Sequence, residues 1–259
     1  MATPKVLILR APGTNCDHET AFAFEQAGAK ADRVHLNRLL ENPQLADEYQ
    51  ILCLPGGFSY GDDVAAGRIV GSLIRHHLSD TLKKFQADEK LILGICNGFQ
   101  ILIKSGVLLP DVDEGEMPAT LTWNNSQKFE DRWVNLAANS SKCVFLDGID
   151  EIYLPMAHAE GKFVAESAET LTALENAGQL ALKYVNADGS SDNVEYPANP
   201  NGAQMNVAGV CDTTGRVFGL MPHPERFIDP THHPRWTRGE GGTVGAGLKM
   251  FENAVNYFG

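Results

Sequence analysis

The chain has 259 residues, 43% of them hydrophobic, and its 33 acidic against 21 basic side chains leave a formal net charge of -12. Such a balance repels a phosphate backbone, and no run of Lys and Arg offsets it locally, so nucleic acid is an unsuitable partner. Apolar runs such as residues 6–9 and 91–93 fall far short of the roughly 20 residues a membrane span needs. The start Met-Ala-Thr-Pro-Lys lacks the apolar stretch of a secretory signal, and a cytoplasmic protein is expected.

In the first half, short apolar stretches alternate with helical patterns, the sequence form of βαβ units and of a parallel sheet covered on both faces. Residues 5–9, 31–36, 50–54 and 90–95 read as strands, each followed by Gly, Asn or Pro signals that turn the chain. A helix over 17–27 opens on acidic residues, offers Ala21, Phe22 and Phe24 to a buried side and stops at Gly28. Further helices are predicted over 64–78 and 79–87, and a mostly buried one over 97–105 is closed by Gly106. The second half is strand-rich, with candidates at 119–123, 132–136, 180–185, 206–211 and 216–221, before a last amphipathic helix over 245–257. No linker-like tract divides the sequence, so one domain over 1–259 is expected. The fold class is α/β, a flavodoxin-like open and mostly parallel sheet flanked by helices.

The five cysteines, Cys16, Cys53, Cys96, Cys143 and Cys211, are odd in number and widely scattered. Reduced thiols are expected, and without a Cys-x-x-Cys pair neither a zinc ribbon nor a thioredoxin-type site has its minimum spacing. No metal is expected. The doublets His76-His77 and His232-His233 read as exposed or capping residues, since adjacent side chains diverge and make poor paired ligands.

Ligands of open α/β sheets bind beyond the carboxyl ends of the strands, and three places there carry chemistry. Gly94-Ile95-Cys96-Asn97-Gly98 runs from a strand into a helix as a nucleophile elbow with Cys for Ser, and a helix N-terminus favours the thiolate. Pro55-Gly56-Gly57-Phe58 follows another strand, and the amides of Gly57 and Asn97 are candidates for stabilising an oxyanion. Pro222-His223-Pro224-Glu225 ends a third strand, offering an imidazole base and a carboxylate to orient it. His158-Ala159-Glu160 repeats the His-x-Glu spacing, which by itself does not choose between the two. The zinc deaminases that also use this spacing need a Pro-Cys-x-x-Cys, which is missing.

Gly-Gly-Phe-Ser-Tyr-Gly-Asp-Asp at 56–63, Gly-Ile-Cys-Asn-Gly-Phe-Gln at 94–100 and Pro-His-Pro-Glu-Arg at 222–226 together resemble class I glutamine amidotransferases. The resemblance is strongest to the branch serving phosphoribosylformylglycinamidine synthase. Arg-Ala-Pro-Gly-Thr-Asn-Cys-Asp at 10–17, residues 123–132 and Ala-His-Ala-Glu-Gly-Lys-Phe at 157–163 fit the same branch, so the likeness covers nearly the whole chain. It implies Cys96 as nucleophile, His223 as general base and acid, Glu225 as orienting carboxylate, and Gln100, His158 and Glu160 near the glutamine. It also implies glutamine as substrate and no cofactor on this chain. The partner is a synthase subunit that uses ATP and magnesium to turn formylglycinamide ribonucleotide into its amidine, in some arrangements with a small third subunit. Extra residues over 188–202 and His-His-Pro-Arg-Trp at 232–236 are more like the amidotransferase region of fused synthases. The competing readings are an amidotransferase for another acceptor and a noncatalytic flavodoxin-like module with a redox-sensing cysteine.

Overall fold

The computed structural model describes residues 3–110 and 116–259. Strand β1 (Lys5–Arg10), helix α1 (Asp17–Gln26), β2 (Lys30–His35), α2 (Leu36–Glu41), β3 (Ile51–Leu54), α3 (Arg68–His77), α4 (Ser79–Ala87), β4 (Leu91–Ile95) and α5 (Asn97–Ser105) form the first half. The second half contributes β5 (Ala119–Thr122), β6 (Glu130–Ala138), β7 (Glu151–His158), β8 (Lys162–Ala165), α6 (Ala168–Asn176), β9 (Leu182–Val185), β10 (Val207–Cys211), β11 (Val217–Leu220) and α7 (Leu248–Asn256).

Nine of these strands make one sheet in the order β2-β1-β3-β4-β11-β10-β9-β6-β7, while β5 and β8 pair separately. From β2 to β11 neighbours run parallel, and beyond β11 they are antiparallel. The α/β expectation is met, and its strand-rich second half extends the parallel sheet instead of forming a layer apart. Strands β3, β4 and β11 are buried along their whole length, as continuous Ile/Leu/Val runs covered on both faces should be.

The most consequential pairing joins distant parts of the sequence. Strand β11 lies parallel beside β4 with Leu220 opposite Ile95, and β4 lies beside β3 with Gly94 opposite Leu54. Three adjacent strands therefore end together, and each delivers the next few residues to the same edge of the sheet.

Helices α4 and α5 occupy the predicted residues, and Gly106 closes α5 in the left-handed conformation. Helix α3 begins at Arg68, later than the pattern suggests, because Val64 and Gly67 both adopt positive φ, at 71° and 73°, and break the helical path. Phe22 proves half exposed, so the buried side of α1 is carried by Thr20, Ala21, Ala23 and Phe24. His233 is also unlike its expectation: it is buried among the rings of Trp133, Tyr153 and Phe227, at centroid distances of 5.5, 5.8 and 5.6 Å. Its partner in the doublet, His232, is exposed, as are His76 and His77.

The last helix packs on the first through Phe251, whose ring meets Phe24 edge-on at 4.9 Å with both fully buried. Truncating such a ring removes transfer free energy and leaves a cavity. Phe251→Ala is therefore expected to lower unfolding free energy by about 3–5 kcal/mol in chemical denaturation.

Candidate active site

Cys96 sits between β4 and α5 with φ 51° and ψ −104°, a sparsely populated backbone state for a residue with a side chain. The surrounding packing imposes it. A Cβ at Gly98 would run into the Leu54 carbonyl of the neighbouring strand, so the turn can close only with glycine at that position. The strain lifts the thiol out of the strand line at the head of α5, where the first amides of the helix have no intrahelical acceptor.

His223 follows β11 on the adjacent strand, fixed by its own N–H donating to the Pro155 carbonyl at 2.8 Å. Its Nδ1 lies 2.6 Å from Glu225 Oε1, and both side chains are almost completely buried. Burial by itself opposes a charged imidazole, but the Glu225 carboxylate and then Cys96 outweigh it and hold His223 well above the ordinary histidine value. Cys96 Sγ donates to the Ala157 carbonyl at 3.6 Å, and His223 Nε2 has no hydrogen-bond partner among the described residues. The thiol and the base are neighbours, and Cys96 is among the groups that hold His223 raised.

A cavity of about 240 Å³ opens on the thiol, lined among others by Gly57, Cys96, Gln100, Trp123, His158 and Glu160. Of the residues singled out from the sequence, Gly57, Cys96, Gln100, His158 and Glu160 line this cavity, whereas Asn97, His223 and Glu225 are not part of its lining. Asn97 heads α5 and uses its side chain as a clamp: Oδ1 accepts from the Ser59 amide at 3.2 Å, while Nδ2 donates to Asp62 at 3.2 Å and to Gln100 Oε1 at 2.9 Å. Gln100 Nε2 in turn donates to the Glu160 carbonyl at 2.7 Å, so both polar ends of this side chain are taken up by the cavity wall. Glu160 accepts from the Ala66 amide at 3.2 Å and lies 4.0 Å from Lys104 Nζ. The second His-x-Glu differs electrostatically from the first: His158 is fully buried, and desolvation, then the nearby His223, press it down to about 3.

Two further residues escaped sequence reasoning. Cys16, at the start of α1, comes beside His223 and accepts from the Arg226 guanidinium at 3.2 Å, with burial raising its thiol. Cys16, His223 and Glu225 each present a potential ligand atom within 4.8 Å of the others, though the close Nδ1–Oε1 contact already occupies the histidine and the carboxylate. Asp62 is raised to about 6, first by burial and then by the neighbouring Glu160. Only the three-dimensional approach of β1 to β3 and of residues 59–66 to α5 reveals these neighbours.

These features set a thiol, an imidazole and a carboxylate side by side at the ends of adjacent strands, and comparison with known proteins gives the class. Residues 3–258 match the model of the CobB/CobQ-like glutamine amidotransferase domain, and the chain belongs to that family. A curated relative from Dehalococcoides mccartyi, phosphoribosylformylglycinamidine synthase subunit PurQ, is 48% identical, covering 99% of this chain and 98% of its own. The PurQ subunit of Methanococcus maripaludis is 43% identical, covering 98% and 97%. Among solved structures, a chain of PurLQS from Thermotoga maritima superposes with a TM-score of 0.75 at 30% identity over the full length of both. A putative GMP synthase subunit from Thermoplasma acidophilum, at 18% identity and a TM-score of 0.56, shares the fold.

Two outcomes follow from the electrostatics. Glu225→Gln removes the main charge holding His223 up, so the imidazole titration followed by nitrogen NMR should move to lower pH. The sign for stability runs the same way: a raised histidine stabilises fully below its unfolded value of about 6.5, and loses that contribution as pH rises through its folded value. The stability difference between the wild type and Glu225→Gln is thus expected to shrink at high pH. Asp62 has the opposite sense, since a carboxyl raised to about 6 makes the fold less stable as pH climbs from its ordinary 3.8. Asp62→Asn should stabilise the protein above pH 6 and be near neutral below pH 4, read from denaturation midpoints.

Proposed function

We propose that this chain is the glutaminase subunit of a phosphoribosylformylglycinamidine synthase and feeds ammonia from glutamine into purine biosynthesis. The buried His223–Glu225 pair beside a strained thiol at the head of α5 is the observation that carries this reading. The end-to-end likeness to PurQ subunits supports the choice of acceptor chemistry, and the PurLQS neighbour supports partners of the PurL and PurS kind.

In the proposed mechanism the Cys96 thiolate attacks the side-chain amide carbon of glutamine. The oxyanion is received by the amides of Gly57 and Asn97, the latter carrying the positive end of the α5 dipole. His223, held by Glu225, has taken the thiol proton and gives it to the amide nitrogen. The carbon–nitrogen bond breaks, ammonia leaves, and a glutamyl thioester remains. His223 then activates water, which hydrolyses the thioester to glutamate and returns the thiol. Gln100 and Glu160 hold the cavity wall in shape. Ammonia released to water becomes ammonium and loses its nucleophilic lone pair, which is the physical reason for docking on the synthase.

ATP and magnesium belong to the partner in this scheme, and the chain itself carries no cofactor. A cytoplasmic setting fits a chain in which, among the described residues, no helix is long and apolar enough to cross a membrane.

Cys96→Ala, assembled with the synthase, is expected to lose glutamine hydrolysis by at least about 10³-fold. Amidine formation from added ammonium salt should persist in the same complex. Full glutaminase activity in that variant would refute the mechanism.

A further inference from the structure

The wall of the cavity contains a buried side chain that the triad leaves unused. His158 closes β7 and is 3% exposed. Its Nδ1 lies 3.1 Å from Asn124 Oδ1, and the orientation of that amide is not ambiguous. Asn124 Nδ2 faces two carbonyls, those of Lys128 at 2.9 Å and of His158 itself at 2.8 Å, so it must be the donor end. Oδ1 then accepts from the Gly161 amide at 3.2 Å and from His158. His158 Nδ1 consequently carries the hydrogen, and Nε2 presents a bare lone pair.

That nitrogen is buried and has no hydrogen-bond partner among the described residues, although His158 lines the same cavity as Cys96. An unpaired acceptor of this kind costs free energy unless a ligand supplies the donor. Gly161 shows that the ring is deliberately accommodated, since a Cβ at that position would strike its Nδ1–Cε1–Nε2 edge. Protonation cannot satisfy the nitrogen either: desolvation and His223 keep the ring neutral at any working pH.

Resting on the glutaminase reading above, we infer that His158 Nε2 accepts one N–H of the glutamine carboxamide and so turns the nitrogen toward His223 for cleavage. Glutamine has N–H donors at its reacting end only on that nitrogen. As Sγ adds to the carbon, amide resonance is lost and the nitrogen lone pair localises. It must then point at the imidazolium N–H of His223, and pinning one of its two hydrogens on a fixed acceptor sets that rotation. No proton moves to His158. The nitrogen departs with its own two hydrogens and the one from His223, while the carbon keeps its new bond to sulfur. A neutral acceptor also suits the product, because an acidic group in that place would turn ammonia into ammonium before it left. His158 thereby acts on the leaving group, while the other imidazole handles the proton.

The test compares His158→Gln with His158→Asn in the assembled synthase. The Gln carboxamide oxygen can reach the place of Nε2, whereas that of Asn reaches only the place of Nδ1. His158→Gln is expected to keep kcat for glutamine hydrolysis within about fivefold, while His158→Asn loses about 10- to 100-fold, with KM changed far less. Alkylation of Cys96 by a glutamine-like chloroketone should persist in both and shows that the pocket is folded. Equal loss in the two variants, or no loss in either, overturns the inference. A second measurement uses the full chain as Cys96→Ala with ¹⁵N-labelled histidine. Added glutamine should shift the His158 Nε2 resonance toward that of a hydrogen-bonded acceptor, and an unmoved resonance with glutamine bound sinks the idea. Failure of glutamine to bind that chain at all by calorimetry would instead overturn the glutaminase reading beneath it.

Discussion

The site depends on one register: Leu220 of β11 lies opposite Ile95 of β4 in parallel pairing. Residues 95 and 220 are far apart in sequence, and only hydrogen bonds between these strands make their following residues neighbours. The strands are buried on both faces, so a slip of one residue would exchange side chains between two differently packed layers and leave voids and clashes in each. Register is therefore specified by the core, and the separation of Cys96 from His223 is inherited from it. The enzyme's chemistry is placed by packing energy spread over the whole sheet, with little left to the loops.

What the parallel sheet leaves open, the antiparallel extension encloses. Strand β7 brings Pro155 to anchor the His223 backbone, Ala157 to receive the Cys96 thiol and His158 to line the cavity. The opposite wall comes from residues 58–66, which are tied to α5 through the two ends of the Asn97 side chain. Both walls meet at Gln100 and Glu160. A flavodoxin-like sheet alone would hold a thiol at a helix head; the added strands turn that exposed position into an enclosed cavity with defined polar walls.

Much of this arrangement was legible from residues alone, for identifiable reasons. Helix α5 was readable because glycines bracket it and its apolar residues run together, and the same glycines marked the elbow. Strand β7 was not foreseen, although its buried and open residues alternate cleanly, because Pro155 interrupts it and argues against a strand. Here the proline is tolerated because β7 is the edge strand of the sheet. Helix α2 carries too few turns for periodicity to stand out, and α6, although as long as α4 and α5, buries only Leu174 and so shows no apolar stripe. The start of α3 was misread because no pattern of apolar residues announces a valine at positive φ. Cys16 could be seen as part of a motif, but its place beside His223 follows from the neighbouring β1 and β3, which one-dimensional spacing does not encode.

The ring cluster around His233 has a bearing on how the molecule breathes. The segment from His223 to His233 is fastened at one end by the bond to Pro155 and at the other by Trp133 and Tyr153, against which His233 packs, with Phe227 of the same segment also on Trp133. Fraying at the C-terminus must disrupt that aromatic lock before it reaches the catalytic backbone. Amide protons there are expected to exchange with solvent through larger, cooperative openings. His223 and Glu225 thus sit within a segment held at both ends, and their geometry is tied to the integrity of the fold.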